Sequence, residues 1–370
     1  MSTEETYQTI VVGGGQAGLA AGYYLARQGE NFIILDGASG AGMAWRRRWD
    51  SLRLFTPAQY DGLPGMPFPG EDYYFPTKDE VAGYLESYAA KFQLPLRLNT
   101  GVESLEREGG GYRLAAAGRT FIAHNVIVAT GAYQSPHIPA FAEQLDPAIV
   151  QLHSHAYRNP DQIPAGRVLV VGAGNSGVEI GLELSKAGRE VWLSGRDVGH
   201  IPAERLGRYF SGRPYWWFIS RVLSIATPVG RKMRRQVLEH GNPLIRSSRR
   251  EVLQAGIQVA TRLAGVEAGR PRMQGGRTLE PAAVVWATGF RPDYRWIKLP
   301  VFDGNGFPRH ERGVVPEAPG LYFAGLHFQS ALTSALLGGV GRDVQYITRF
   351  MQNSESVPKT PARAVLARGR

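Results

Sequence analysis

One unit written twice constrains this chain more than any other feature. Residues Thr9–Val12 form a short apolar, β-branched run, followed by Gly13-Gly14-Gly15-Gln16-Ala17-Gly18 and a helix-like pattern from Leu19 to Gln28. The same order returns at Arg167–Val171, Gly172-Ala173-Gly174-Asn175-Ser176-Gly177 and Val178–Leu184. Strand, G-x-G-x-x-G and helix in that order have a physical meaning. The first glycine makes a tight turn, the second lets backbone approach a pyrophosphate, and the third lets the helix pack close to the strand. The phosphate then sits on a helix N-terminus, where free N–H groups and the dipole favour negative charge.

The ends of the following strands separate the two copies. Asn31–Leu35 runs into Asp36, an acceptor for a ribose 2′-hydroxyl at the expected distance from the first glycine loop. Glu190–Leu193 runs instead into Ser194-Gly195-Arg196. A carboxylate there would repel a 2′-phosphate, whereas a hydroxyl and a guanidinium can hold one, so NADPH is favoured and NADH stays open. Two such sites in one chain imply a flavin dinucleotide in one and a nicotinamide in the other, because hydride must pass between cofactors held face to face. Two more buried-looking strands, Asn125–Val128 and Ala283–Trp286, end in Ala129-Thr130-Gly131 and Ala287-Thr288-Gly289. Each is followed by proline (Ser135-Pro136, Arg291-Pro292), and these segments read as the crossings between two domains.

Composition narrows the chemistry. None of the 370 residues is cysteine, which excludes disulfide staples, thiolate metal sites, a cysteine nucleophile and a dithiol relay. The net charge is +10, and Arg196–Arg250 carries twelve basic and three acidic residues, so nearly all of the excess lies in one stretch. Within it, Tyr209, Phe210, Tyr215, Trp216, Trp217 and Phe218 precede the apolar run Ile219–Ile225 and then Arg231-Lys232-Met233-Arg234-Arg235. Aromatic residues flanked by cations suit an anionic membrane surface, so residues 209–235 are a candidate peripheral contact or a hydrophobic mouth for an apolar substrate. The competing reading is a helical pair packed on the nicotinamide domain with a solvated basic face. Nucleic acid is disfavoured, since no recognised binding module accompanies the patch. No run approaches the ~18 apolar residues of a membrane span, and the polar, acidic start does not read as a secretory signal. The expectation is a cytoplasmic protein, with peripheral membrane contact left open.

Further motifs carry a resemblance. Gly42-Met43-Ala44-Trp45 with Arg48-Trp49-Asp50-Ser51-Leu52, Leu152-His153-Ser154-His155-Ala156-Tyr157, Ala287-Thr288-Gly289-Phe290-Arg291-Pro292 and Gly320-Leu321-Tyr322-Phe323-Ala324-Gly325-Leu326 resemble the flavin-containing monooxygenase-like flavoproteins. That group includes the plant YUCCA-type enzymes and bacterial flavoproteins linked by label to cation transport. Three departures stand out. Pro147 and Ile149 occupy the Phe and Gly positions of the identifying F-x-G-x-x-x-H-x-x-x-Y/F sequence, Met43 replaces a glycine, and Leu54-Phe55-Thr56-Pro57 lacks the asparagine many members place beside the flavin.

The resemblance implies an α/β fold of two nested Rossmann-like domains. The FAD-binding domain would comprise 1–135 plus 305–352, the NAD(P)H-binding domain 160–295 with the basic aromatic insertion 201–250, and 353–370 a flexible tail. Ser334 to Gly338 would start a helix aimed at the flavin. The expected FAD contacts are Gly13, Gly14, Gly15, Gln16, Ala17, Gly18, Asp36, Trp45, Val102, Ala129, Thr130, Gly131, Gly325, Ser334 and Leu336. The expected NADP contacts are Gly172, Gly174, Asn175, Ser176, Gly177, Ser194, Arg196, Thr288 and Gly289. Trp45, Phe55 and Tyr60 are candidates for the flavin environment, with ordinary core aromatics the favoured reading. His153 and His155 are expected to fix the linker rather than bind metal. The implied reaction has NADPH reduce the flavin and O2 add to its C4a carbon. The hydroperoxyflavin then passes one oxygen to a small soft nucleophile or a carbonyl substrate. The alternatives are an NAD(P)H-dependent flavin oxidase or reductase passing electrons to O2, quinone or ferredoxin, and a flavin-dependent regulatory module of a membrane transport system.

Overall fold

The computed structural model describes residues 4–201 and 212–355. Its first sheet is built around β1 (Glu4–Val12), whose last four residues are buried, as expected for a parallel strand covered on both faces. Helix α1 (Gln16–Arg27) leads to β2 (Phe32–Leu35), which pairs in parallel with β1 through Thr9↔Phe32 to Val12↔Leu35. A one-turn helix, α2 (Met43–Arg46), and α3 (Lys78–Lys91) follow. Thr77 and Glu80 form a capping box at the start of α3, satisfying two otherwise orphaned N–H groups.

Strand β3 (Leu96–Arg97) closes one edge of the sheet beside β2. The antiparallel excursion β4 (Val102–Glu108), β5 (Gly111–Ala116) and β6 (Arg119–Val128) returns the chain to β1. Strand β6 is long enough to serve two partners on one edge: Arg119–Ala123 pairs with β5, while Val126–Val128 takes a strand from the far end of the chain.

After the short β7 (Ser135–Pro136) and β8 (Val150–His153), the second unit repeats the plan with β9 (Arg167–Val171), α4 (Asn175–Lys186) and β10 (Glu190–Ser194). Helix α5 (Arg213–Trp217), a π-helical turn at Phe218–Val222, α6 (Pro228–His240) and α7 (Arg249–Gln254) come next. Strands β11 (Gln258–Ala260), β12 (Leu263–Glu267), β13 (Arg270–Met273) and β14 (Ala283–Trp286) complete this unit. Its parallel sheet has the order β11-β10-β9-β14-β8. Strand β15 (Phe290–Arg291) pairs antiparallel with β7, so both crossings form one two-stranded ribbon. Strand β16 (Leu321–Phe323) then joins β6 in the first sheet, and α8 (Val340–Glu355) packs on α1. The chain leaves the first unit and comes back to it.

Three sequence expectations change. Residues Ser334–Gly338 form tight turns rather than opening a helix, and α8 begins at Val340. Close approach explains the two glycines there: a Cβ on Gly338 would lie 1.6 Å from the Tyr60 carbonyl oxygen, and one on Gly339 1.8 Å from that of Thr333. Second, α8 continues past Asn353 to Glu355, and the rest of the expected tail lies outside the described residues. Third, the α5–α6 pair is not confined to the nicotinamide unit. Ile225 N–H donates to Ser330 O and Leu332 N–H to Leu223 O, both at 2.9 Å, which seats the pair on the returning flavin-side segment. Tyr209 and Phe210 lie outside the described residues.

Candidate functional site

A cavity of about 650 Å³ lies at the C-terminal ends of the first sheet and extends to the second glycine loop. Both glycine turns follow from steric necessity. Gly13 has φ +108° and Gly172 has φ +113°, and a Cβ at either would press on the backbone of Ala129 or Ala287. A Cβ on Gly18 would sit 1.8 Å from the Gly13 carbonyl oxygen, and one on Gly177 equally close to that of Gly172. Around Gly15 and Gly174, by contrast, the space is open, which is the room a pyrophosphate needs against the N-termini of α1 and α4. At the end of β2 the Asp36 carboxylate accepts from Gly14 N–H (2.5 Å) and Ala38 N–H (2.7 Å), holding the loop while keeping lone pairs for a ribose.

Most of the expected first-site residues line this cavity: Gly13, Gly14, Gly15, Gln16, Ala17, Asp36, Trp45, Val102, Ala129, Thr130, Gly131, Gly325 and Leu336, together with Phe55 and Tyr60. Gly18 and Ser334 do not. Gly18 is packed against the Gly13 carbonyl. The Ser334 hydroxyl is buried and accepts from Ser330 and Ala331 N–H, both 3.0 Å, so it serves its own turn and is corrected from contact to scaffold. Gln16 donates to Ala335 O at 2.9 Å, tying the first glycine loop to the returning segment.

On the second side Asn175 and Ser176 reach the same cavity, while Gly172, Gly174, Gly177, Ser194, Arg196, Thr288 and Gly289 lie outside its lining. The Asn175 amide donates to Pro243 O (3.1 Å) and its carbonyl accepts from Ile245 N–H (3.3 Å), pinning residues 243–245 across the start of α4. Ser194 is a correction. Its hydroxyl donates to Thr261 O (2.8 Å) and accepts from Leu263 N–H (3.0 Å), and the residue is 1% exposed, so it has nothing to offer a 2′-phosphate. Arg196 is exposed just beyond β10, and Asp197 beside it is ion-paired with Arg249 at 2.9 Å. The Thr288 hydroxyl donates to His137 O, and His137 N–H to Gly289 O at 3.0 Å, so both latch the ribbon.

His153 does the same. Its Nε2–H donates to Gly289 O (3.0 Å) while Nδ1 accepts from His155 N–H (3.0 Å). Burial lowers the pKa of both histidines, keeping them neutral.

Sequence reasoning missed several residues. The Gln134 amide donates to Thr130 Oγ1 and Gly131 O, and its carbonyl accepts from Asp293 N–H, joining the two crossings. Arg48 lies over Tyr133 and Phe290 at 5.6 and 5.4 Å, with its pKa lowered by burial. Glu179, on the first turns of α4, lines the cavity opposite Arg246 (3.2 Å), and burial pushes its carboxyl up to about 7 against the pull of that arginine. Trp216 of α5 stacks on Tyr60 with centroids 4.8 Å apart and planes 12° from parallel, so the insertion roofs the cavity. Asp61 is fully buried beside that roof, accepts from the Thr56 hydroxyl at 2.5 Å, and is pushed up to about 8 by burial. Nothing local in the sequence announces these pairings.

Two pyrophosphate cradles reached from one aromatic-walled cavity are what hydride transfer between a nicotinamide and a flavin requires, so the class is an FAD- and NADP(H)-dependent oxidoreductase of the flavin monooxygenase type. The profile of the pyridine nucleotide-disulphide oxidoreductases matches residues 10–204, and the chain belongs to that family. An oxidoreductase described as CzcO-like from Geobacillus kaustophilus is 40% identical over 347 residues, covering 93% of this chain and 98% of that one. A probable indole-3-pyruvate monooxygenase, YUCCA3, from Arabidopsis thaliana is 29% identical, covering 95% and 89%. Among solved structures, a flavin-containing monooxygenase from Stenotrophomonas maltophilia superposes with a TM-score of 0.78 at 28% identity, covering 95% of this chain and all of its own. Without cysteine, the disulfide chemistry in the family's name is closed to this chain.

Proposed function

We propose that the chain is an NADPH-using flavin monooxygenase that oxygenates a small soft nucleophile or a carbonyl compound within the roofed cavity. The observation that carries the reading is the single cavity shared by the first glycine loop, the start of α4 and the aromatic roof. FAD would be held by Gly13–Gly18, Asp36, Trp45, Val102, Ala129–Gly131, Gly325 and Leu336. NADP(H) would lie along Gly172–Gly177, with Thr288 and Gly289 at the ribbon and Arg196 as the cation for a 2′-phosphate. When bound, FAD reduced by NADPH would supply the two electrons for O2 activation, with one oxygen atom going to the substrate and the other to water.

The chain's own part is orientation and exclusion of water. Trp216 on Tyr60 covers the cavity, Gln134 and His153 fix the ribbon that sets the spacing of the two sites, and the apolar walls Trp45, Phe55 and Phe328 keep bulk water out. Arg246 opposite Glu179 supplies a charged pair on the wall of the chamber.

The test is rapid mixing of the NADPH-reduced, FAD-loaded protein with oxygenated buffer. A transient absorbance distinct from both reduced and oxidised flavin, lasting seconds or longer, supports oxygenation. Immediate return of oxidised flavin with one H2O2 per NADPH would establish an oxidase instead.

A further inference from the structure

A second cavity, of about 530 Å³, lies away from the dinucleotide sites. It is lined by Arg231, Arg234, Arg235 and Leu238 of α6, by Ile225 and Gln329, and by the loop His310-Glu311-Arg312. None of these residues lines the central cavity, whose roof takes Val237 from the inner face of the same helix. Four guanidiniums converge here against one carboxylate, Glu311, and among the described residues none of the four is ion-paired. Arg231 donates to Ile225 O at 3.0 Å and Arg312 stacks on Tyr346, which positions their charges without neutralising them.

Two details point to a ligand. The Arg234 Nε–H is buried with no partner, and a charged donor left in that state is costly unless something accepts from it. His310 is held neutral by burial and by the charge of Arg234, its pKa falling to about 4. Its Nδ1 accepts from Gly313 N–H at 3.1 Å, so the proton of the neutral ring is on Nε2, a further donor. Guanidinium forks with an imidazole N–H are matched by the anionic oxygens of a phosphate, which accept bidentately.

We propose that this pocket binds an anionic phosphate group, carried by a soluble phosphorylated metabolite or by a phospholipid headgroup. Leu238 and Val229 of α6 and Trp217 and Phe218 ahead of it are all at least 44% exposed, and would meet acyl chains in the second case.

The experiment uses protein loaded with FAD and saturated with NADP+, so that both glycine loops are filled. Inorganic pyrophosphate is titrated calorimetrically at low salt, and in a parallel arm the protein is sedimented with phosphatidylcholine vesicles, with or without phosphatidylglycerol. Binding in either arm is expected to fall at least tenfold per charge removed in Arg231→Gln, Arg235→Gln and the double variant. Both positions are exposed, so the fold is not at stake, and NADPH-driven flavin reduction should be unchanged. Pyrophosphate binding alone identifies a soluble ligand, and vesicle binding displaced by pyrophosphate identifies a headgroup. Absence of binding in both arms, or binding undiminished in the double variant, overturns the proposal.

Discussion

Asp61 offers the sharpest quantitative test of the fold's electrostatics. It is 0% exposed, its side chain's only hydrogen-bond partner among the described residues is the Thr56 hydroxyl on Oδ1, and Oδ2 is buried without one among them. Among the described residues no cation offsets this burial, which raises the carboxyl from its ordinary value of 3.8 to about 8 against the pull of the Thr56 hydrogen bond. An acid whose folded pKa lies above its unfolded value binds its proton more tightly when folded. Its contribution is therefore fully present below about pH 4 and is lost as pH rises through about 8. At ~1.4 kcal/mol per unit, a gap of about four units sets the loss at about 6 kcal/mol, of which about 4 has gone by pH 7. Asp61→Asn keeps the shape and cannot ionise. Urea unfolding from pH 4 to pH 9 should show wild-type stability falling relative to the variant by about 1.4 kcal/mol per unit between pH 4 and pH 8, with a flat difference above. Parallel pH profiles for the two proteins would refute the reasoning.

Four further outcomes follow from the same geometry. Gly18→Ala puts a methyl where only 1.8 Å separates it from the Gly13 carbonyl oxygen; the protein should purify without bound flavin, read by its visible spectrum. Trp216→Ala removes the stacked cover from Tyr60; H2O2 released per NADPH should rise several-fold while flavin reduction changes less than about twofold. Arg196→Ala should raise KM for NADPH by about tenfold or more and leave KM for NADH within about twofold, whereas Ser194→Ala should leave the NADPH preference as it is, because that hydroxyl already serves Thr261 and Leu263.

The glycine loops were legible because their cause is local. Gly13 and Gly172 need positive φ, while Gly18 and Gly177 pack on carbonyls five residues upstream, so the requirement is written within one short stretch of chain. The strands around them were legible for a related reason: Phe32–Leu35 and Ala283–Trp286 are buried throughout and read as continuous apolar runs. Ser194 shows where this kind of reading ends. Its position at the tip of β10 was right, but what the hydroxyl does is set by Thr261 and Leu263, nearly seventy residues on. Likewise, Ser334–Gly338 looks like a helix start but forms turns, and the glycine at 338 is required by the Tyr60 carbonyl, brought up from the other end of the chain.

The absent cysteine and the aromatic insertion bear on one question from opposite sides. A scaffold that brings a nicotinamide to a flavin delivers electrons, and the groups on the remaining face of the flavin decide where they go. A dithiol there would take them in pairs, and this chain has none. What it has instead is a roof whose inner side chains, Tyr215, Trp216, Ile219 and Val237, line the cavity while Trp217 stands 60% exposed on the outside. That roof is seated on residues 330–332 of the returning flavin-side segment and anchored by Arg342 donating to Ser220 O. The insertion is thereby fastened by hydrogen bonds to a segment that also carries the cavity-lining residues Leu332, Ala335 and Leu336. A cover of this kind suits chemistry that must be kept from water until the substrate is in place.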